Sequence, residues 1–122
     1  MTIKVFDKTY EALARSLDLR TEAQTIISSN IANADTPGYQ AQEVDFEKAL
    51  SKAIDSGDDI SRVKAEIYNQ TNNVVREDGN TVDRDAEMVK LAENQILFTT
   101  AADLVKKKLA LLRYSISDGG NH

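Results

Sequence analysis

The chain has 122 residues, 41% hydrophobic and 6% aromatic, with a formal net charge of −5. That length allows at most one modest domain, and the acidic balance argues against a general nucleic-acid binder. Cysteine is absent, which excludes disulfides and thiol chemistry, and the single histidine, His122, is the last residue.

No run of about 18 apolar residues occurs, so nothing is expected to span a membrane. The N-terminus lacks a basic flank, an apolar stretch and a small-residue cleavage site, so no cleaved secretory signal is expected.

From Phe6 to about Ala34 the chain reads as a helix without internal glycine or proline. Phe6, Tyr10, Leu13 and Leu17 have coiled-coil seam spacing, Arg20 and Gln24 take the next two places, and Ile27, Ile31 and Ala34 resume the line. About 28 residues predict a rod of roughly 42 Å. A second apolar line, Val5, Ala12, Leu19 and Ile26, repeats every seven residues on another face. Two apolar faces imply two partners; the alternative is one broad stripe against a single core. A membrane-surface helix fits poorly, because Lys8, Glu11, Arg15, Asp18 and Glu22 give a mixed polar face, not a basic one.

Thr36-Pro37-Gly38-Tyr39 stops this helix. Proline drives the preceding residue out of the helical region, and Pro37-Gly38 suits the centre of a type II turn, whose second residue needs positive φ. Asn30 and Asn33 carry amide donors able to reach the last unpaired carbonyls or a neighbouring chain.

Gln42 to Ser56 is expected to form a short helix anchored by Val44, Phe46, Leu50 and Ile54 and ended by Ser56-Gly57. Arg62 to Tyr68 alternates weakly and reads as extended. Val74-Val75-Arg76 and Asn80-Thr81-Val82 flank Glu77-Asp78-Gly79, predicting a small β-hairpin. Asn69-Gln70-Thr71 fits a glycosylation acceptor pattern that chance often supplies. The acidic groups at 55–59 and 83–87 lack calcium-loop spacing; Asp83 reads as a helix N-cap, with acids in the first turn suiting the helix dipole.

A second helix is predicted from Asp85 to about Ser117. Met88, Leu91, Gln95, Phe98, Ala102, Val105, Leu109, Leu112 and Ile116 step by three and four throughout. Leu97, Leu104 and Leu111 form a second line, with Val89 and Ile96 beside it. Lys106, Lys107 and Lys108 fall on the polar sector near the helix C-terminus, where cations are favoured. Gly119-Gly120 ends the pattern.

Asn30-Ile31-Ala32-Asn33, Thr36-Pro37-Gly38-Tyr39 and Val44-Asp45-Phe46 together resemble the N-terminal signature of bacterial flagellar axial proteins, the rod and hook family. Asp78 to Asp83, Glu87-Met88 and Leu91 to Gln95 are similar to the segment leading into the C-terminal helix of the short proximal-rod members. The resemblance implies a structural subunit that polymerises through its terminal helices into the drive shaft linking the membrane ring to the hook, and is needed for motility. It implies as partners other rod subunits and further copies of the chain, the adaptor protein between ring and rod, and the flagellar export apparatus. It also implies a place in the periplasmic rod of the basal body, reached without a cleaved signal peptide.

The expected fold is mainly α: long antiparallel N- and C-terminal helices forming a coiled-coil hairpin, with a small mixed insert of a short helix and a β-hairpin. The divisions are an axial helix at 1–35, turn and insert at 36–84, a second axial helix at 85–117 and a tail at 118–122. The register sets Gln24 against Gln95, Ile31 near Met88 and Tyr10 near Leu109. One seam is a thin basis for so long a hairpin, so the second apolar lines are expected to pack on neighbouring copies.

The candidate subunit contacts are Leu13, Leu17, Leu19, Ile26 and Ile31 on the first helix, Asn30, Asn33, Thr36, Pro37, Gly38 and Tyr39 at the turn, and Gln95, Leu97, Phe98, Leu104 and Leu111 on the second. No nucleophile–base pair, metal cluster or phosphate loop is visible, so no enzyme, cofactor or metal is expected. The competing class is a soluble coiled-coil adaptor or export chaperone that binds one partner helix.

Overall fold

The computed structural model describes the backbone of residues 2–120 and the side chains of residues 8–117. The side chains of Val5 and Phe6, and those of the tail that ends in His122, lie outside the described residues. In chain order the elements are helix α1 (Thr2–Ala32), strand β1 (Gln42–Asp45), helix α2 (Glu47–Ser56), a 3₁₀ turn (Ile60–Arg62), strand β2 (Glu66–Asn69) and helix α3 (Arg84–Gly120). Asn30 meets Glu87 and Arg20 meets Asn94, so α1 and α3 run antiparallel. Among the described residues no helix is long and apolar enough to cross a membrane.

Both long helices form, because an uninterrupted period is a local signal, but their ends differ from expectation: α1 runs from Thr2 to Ala32 where Phe6 to Ala34 was expected, and α3 continues through Gly119-Gly120 where an end near Ser117 was expected. The Asp83 carboxylate accepts from the Ala86 N–H at 3.1 Å, capping α3 as expected. The insert departs from its pattern. Gln42–Asp45 is a strand, not the first turn of α2, and pairs with β2 from Gln42 opposite Asn69 to Asp45 opposite Glu66. Its partner is remote in sequence, so local propensity carried no trace of it. With α2 starting at Glu47, Phe46, Leu50 and Ala53 pack in the core, while Ile54 is exposed.

Around Asp78-Gly79 the chain makes the expected tight turn, with Gly79 N–H donating to the Arg76 carbonyl at 2.9 Å, but no strands flank it. Across the turn Arg76 N–H donates to Asn80 O at 3.0 Å, and the loop also bonds to the segment after α1. Gly38 N–H donates to Asp78 O at 2.8 Å and Thr81 N–H to Tyr39 O at 3.0 Å.

The main core lies between α1 and the insert. Leu19 and Ala23 pack with Phe46, Ala53, Ile60 and Val63, and Ala12 joins them. The second apolar face of α1 therefore does have its own partner, but that partner is the chain's own insert. Leu19, expected to meet a neighbouring copy, is fully enclosed and has no surface left for one. Arg15 fastens the same contact, its Nε donating to the Val63 carbonyl at 2.9 Å.

The hairpin register falls one residue from expectation. Asn94, not Gln95, reaches Gln24, donating to its Oε1 at 3.2 Å and to the Arg20 carbonyl at 2.9 Å. Glu87, Asn94 and Ala101, seven apart, are buried, whereas Met88 and Gln95 are exposed. The polar groups set this rotation. Asn30, Arg20 and Gln24 on α1 need partners once they leave water, and on α3 Glu87 and Asn94 supply them. Satisfying them turns part of the apolar surface of α3 outward.

Candidate functional site

Two features stand out as functional: a polar junction at one end of the helix pair, and an uncovered apolar face on α3.

The junction begins with the end of α1, whose last carbonyls have no partner within the helix. Asn80 Nδ2 donates to the carbonyls of Asn33 at 2.9 Å and Thr36 at 2.8 Å, and Arg76 Nη2 donates to that of Ala34. The Asn80 Oδ1 accepts from Val82 N–H at 2.7 Å, which fixes the approach to α3. Asn33 turns back on its own helix, donating to Ser29 O at 2.8 Å. The Thr36–Tyr39 turn closes with Tyr39 N–H on Thr36 O at 3.2 Å, and Gly38 takes φ +74°, as a type II turn requires. Gly79 packs against it so closely that an added Cβ would lie 3.4 Å from Gly38 Cα.

Asn30 sits at the centre, fully buried. Its Nδ2 donates to Gln42 O at 2.7 Å and Glu87 Oε2 at 3.0 Å, while its Oδ1 accepts from Gln42 N–H at 3.0 Å and the Tyr39 hydroxyl at 3.2 Å. Both ends of the amide are used twice, so α1, β1, the turn and α3 share one side chain. Glu87, equally buried, also accepts from Gln70 Nε2 at 2.7 Å and pairs with Lys90 Nζ at 3.6 Å. Among the described residues no buried side-chain polar atom lacks a partner. Ala34, Ala41 and Val82, with Tyr39 against them, form a small apolar cluster beside this network.

The open face is on α3. Ile96 is 66% exposed, Leu97 and Leu104 are each 44% exposed and Leu111 59%. Beyond residue 103, only Val105 and Lys108 among the described side chains are even half-buried. Long helices with so much apolar surface in water are incomplete as folding units.

The sequence candidates sort accordingly. Asn30, Asn33, Thr36, Pro37, Gly38 and Tyr39 meet at the junction, with Thr36, Pro37 and Gly38 at its exposed rim. Leu97, Leu104 and Leu111 share the open face of α3, and Phe98 and Gln95 flank a shallow groove with Gln24. Leu13, Leu17 and Ile31 are half-buried, and Ile26 lines a cleft beside β1. Asn80, Arg76, Gln70, Glu87 and Asn94 are not among the sequence candidates, although Asn80, Glu87 and Asn94 fall in the second family-like segment. The seven-residue spacing of Glu87 and Asn94 was a readable signal for two of them; the others sit in loops, and the contacts that bring them to the junction are remote in sequence.

Residues 13–40, which include the helix end and the turn, match the family model for flagella basal body rod proteins. The chain is 34% identical to the flagellar basal body rod protein FlgB of Escherichia coli (strain K12), across 68% of this chain and 74% of that protein. It is 31% identical to FlgB of Proteus mirabilis (strain HI4320), across 88% and 95%, and 30% identical to FlgB of Salmonella typhimurium (strain LT2), across 87% and 90%. With both signature segments meeting at one junction, and with relatives aligned along most of both chains, the chain belongs to the FlgB family of flagellar basal body rod proteins, structural and non-enzymatic subunits of the rod.

Proposed function

We propose that this rod subunit polymerises through its terminal helices, with copies of itself and with other rod subunits, into the shaft that carries torque from the membrane ring to the hook. The uncovered apolar face of α3 carries this reading: among the described residues, Leu97, Leu104 and Leu111 are exposed and join neither buried core cluster. Phe98 and Gln95 extend that surface, and Leu13, Leu17, Ile26 and Ile31 contribute from α1. The residues from Asn30 to Tyr39 act at one remove, fixing the angle at which α1 leaves the insert. The adaptor protein at the ring and the flagellar export apparatus are the further partners, the first seating the subunit and the second delivering it.

The test is incorporation. A chain with Leu104→Asp and Leu111→Asp is expected to fold its insert but to disappear from isolated basal bodies, with loss of swimming. Normal incorporation and swimming would overturn the assignment of this face to assembly.

A further inference from the structure

Beside the junction, α1, β1 and α3 enclose an open cleft of about 430 Å³. Ile26, Ile27, Phe46 and Leu97 give it an apolar lining, and Glu43, Asp45 and Glu93 line it too. Two cations reach it, but both are engaged: Arg20 with Glu47 at 3.1 Å and over the Phe46 ring, Lys90 with Glu87 at 3.6 Å. Among the described residues no cation pairs with Glu43, Asp45 or Glu93. Asp45 stands directly across the ladder from Glu66, a like-charge pairing that weakens two strands. Loss of solvent, and then the carboxylates of Glu43, Asp45 and Glu66, push the neighbouring Tyr68 phenol above its ordinary value. An apolar lining under an unbalanced negative field suits a cationic, amphipathic helix.

The chain carries such a helix at its other end. Residues 104–117 hold Lys106, Lys107, Lys108 and Arg113 and no acid, so they carry +4 and leave −9 on the remaining 108 residues. Leu104, Lys107, Leu111 and Tyr114 step by three and four along α3 and are all exposed.

We propose that the cleft of one copy receives this stripe from the α3 of a second copy, with Lys107 meeting the acidic rim and Leu104, Leu111 and Tyr114 covering the apolar lining. The proposal rests on the polymerisation reading above and says which surface each face meets. Cleft and stripe are different surfaces of the subunit, so the contact is head-to-tail, the class of contact that builds a helical shaft when its rotation does not close.

The absence of cysteine makes the test clean. Two variants, Glu43→Cys with an affinity tag and Lys107→Cys without one, are produced together in flagellated cells, and isolated basal bodies are treated with a short bismaleimide. A cross-linked dimer joining tagged to untagged chain is expected. Separately, Lys107→Glu is expected to lower incorporation about tenfold, and adding Glu43→Lys and Asp45→Lys to that chain should recover it to within about threefold. If both cysteine variants enter basal bodies without cross-linking to each other, or if the reversed chain is not rescued, the contact between copies is refuted while the rod reading stands. Absence of the unsubstituted chain from basal bodies would refute the polymer reading itself.

Discussion

The two ends of the helix pair are built on opposite chemistry. At the junction, polar side chains are buried and saturated, so that Asn30, Glu87 and Asn80 each join segments far apart in sequence. At the far end of α3, large apolar side chains such as Leu111 face water. A buried polar network tolerates few geometries, because each unpaired group is costly to bury. Apolar contact is non-directional and roughly proportional to area. The junction is thus suited to fixing an angle within one subunit, and the open face to sliding into place between subunits.

Substitution at the network should separate the ends most strongly. Asn30→Ala strands Glu87, Tyr39 and the Gln42 backbone N–H, and should cost about 3 kcal/mol of stability, read from the denaturant midpoint at constant slope. A loss below about 1 kcal/mol would mean that the network is ornamental. Leu19→Ala opens a cavity against Phe46 and Ile60 and is expected to cost about 2–3 kcal/mol. Gly38→Val keeps its space, since nothing lies within 4 Å of the added Cβ, but forces a branched residue into positive φ for about 1–2 kcal/mol. Reduced rod incorporation should accompany it; wild-type swimming would show that the angle set by the turn does not matter.

The far end should behave in reverse. Leu104→Asp is expected to change the stability of the free chain by less than about 0.5 kcal/mol while abolishing assembly. In dilute solution, amide exchange at Leu104 and Leu13 should be fast and that at Asn30 and Glu87 slow, because sparse burial permits local opening. Strong protection at Leu104 in a monomer would erase the contrast. The smallest effect concerns Tyr68. Its raised value means that the folded chain holds the phenolic proton more tightly than the unfolded one. That site therefore costs the fold nothing below the usual tyrosine value and weakens it as pH rises beyond. Glu43→Gln should move the phenol's absorbance titration back toward the ordinary value, by removing one of the carboxylates that act after burial.

How much was legible follows from how far each signal reaches along the chain. The turn at Pro37-Gly38 and the cap at Asp83 depend on neighbours a few residues away, and both were readable. The strand at Gln42–Asp45 carries a helix-like local pattern, and its partner, Glu66–Asn69, lies beyond any local window. The hairpin expected around Gly79 is reduced to a turn: one backbone bond, Arg76 N–H to Asn80 O at 3.0 Å, joins its flanks, while Asp78 and Thr81 bond to Gly38 and Tyr39. The residues that complete the junction, Asn80 and Arg76, look like ordinary loop chemistry until the α1 carbonyls they serve come into view.

Sequence alone determined that two long helices exist, which stretches of the chain they occupy, and which family signatures they carry, and at Gln24 it placed their pairing to within one residue. Helical period and capping are properties of adjacent turns. Only the tertiary structure decided which apolar face is enclosed within the chain and which is left exposed. Leu19 and Leu104 occupy similar lines in the pattern, yet the first is enclosed and the second is not. The insert builds its apolar core on α1, and the demands of Asn30, Arg20 and Gln24 rotate α3 so that Glu87 and Asn94 point inward. That choice is a competition between burying grease and satisfying polar groups, settled only when both helices are present together.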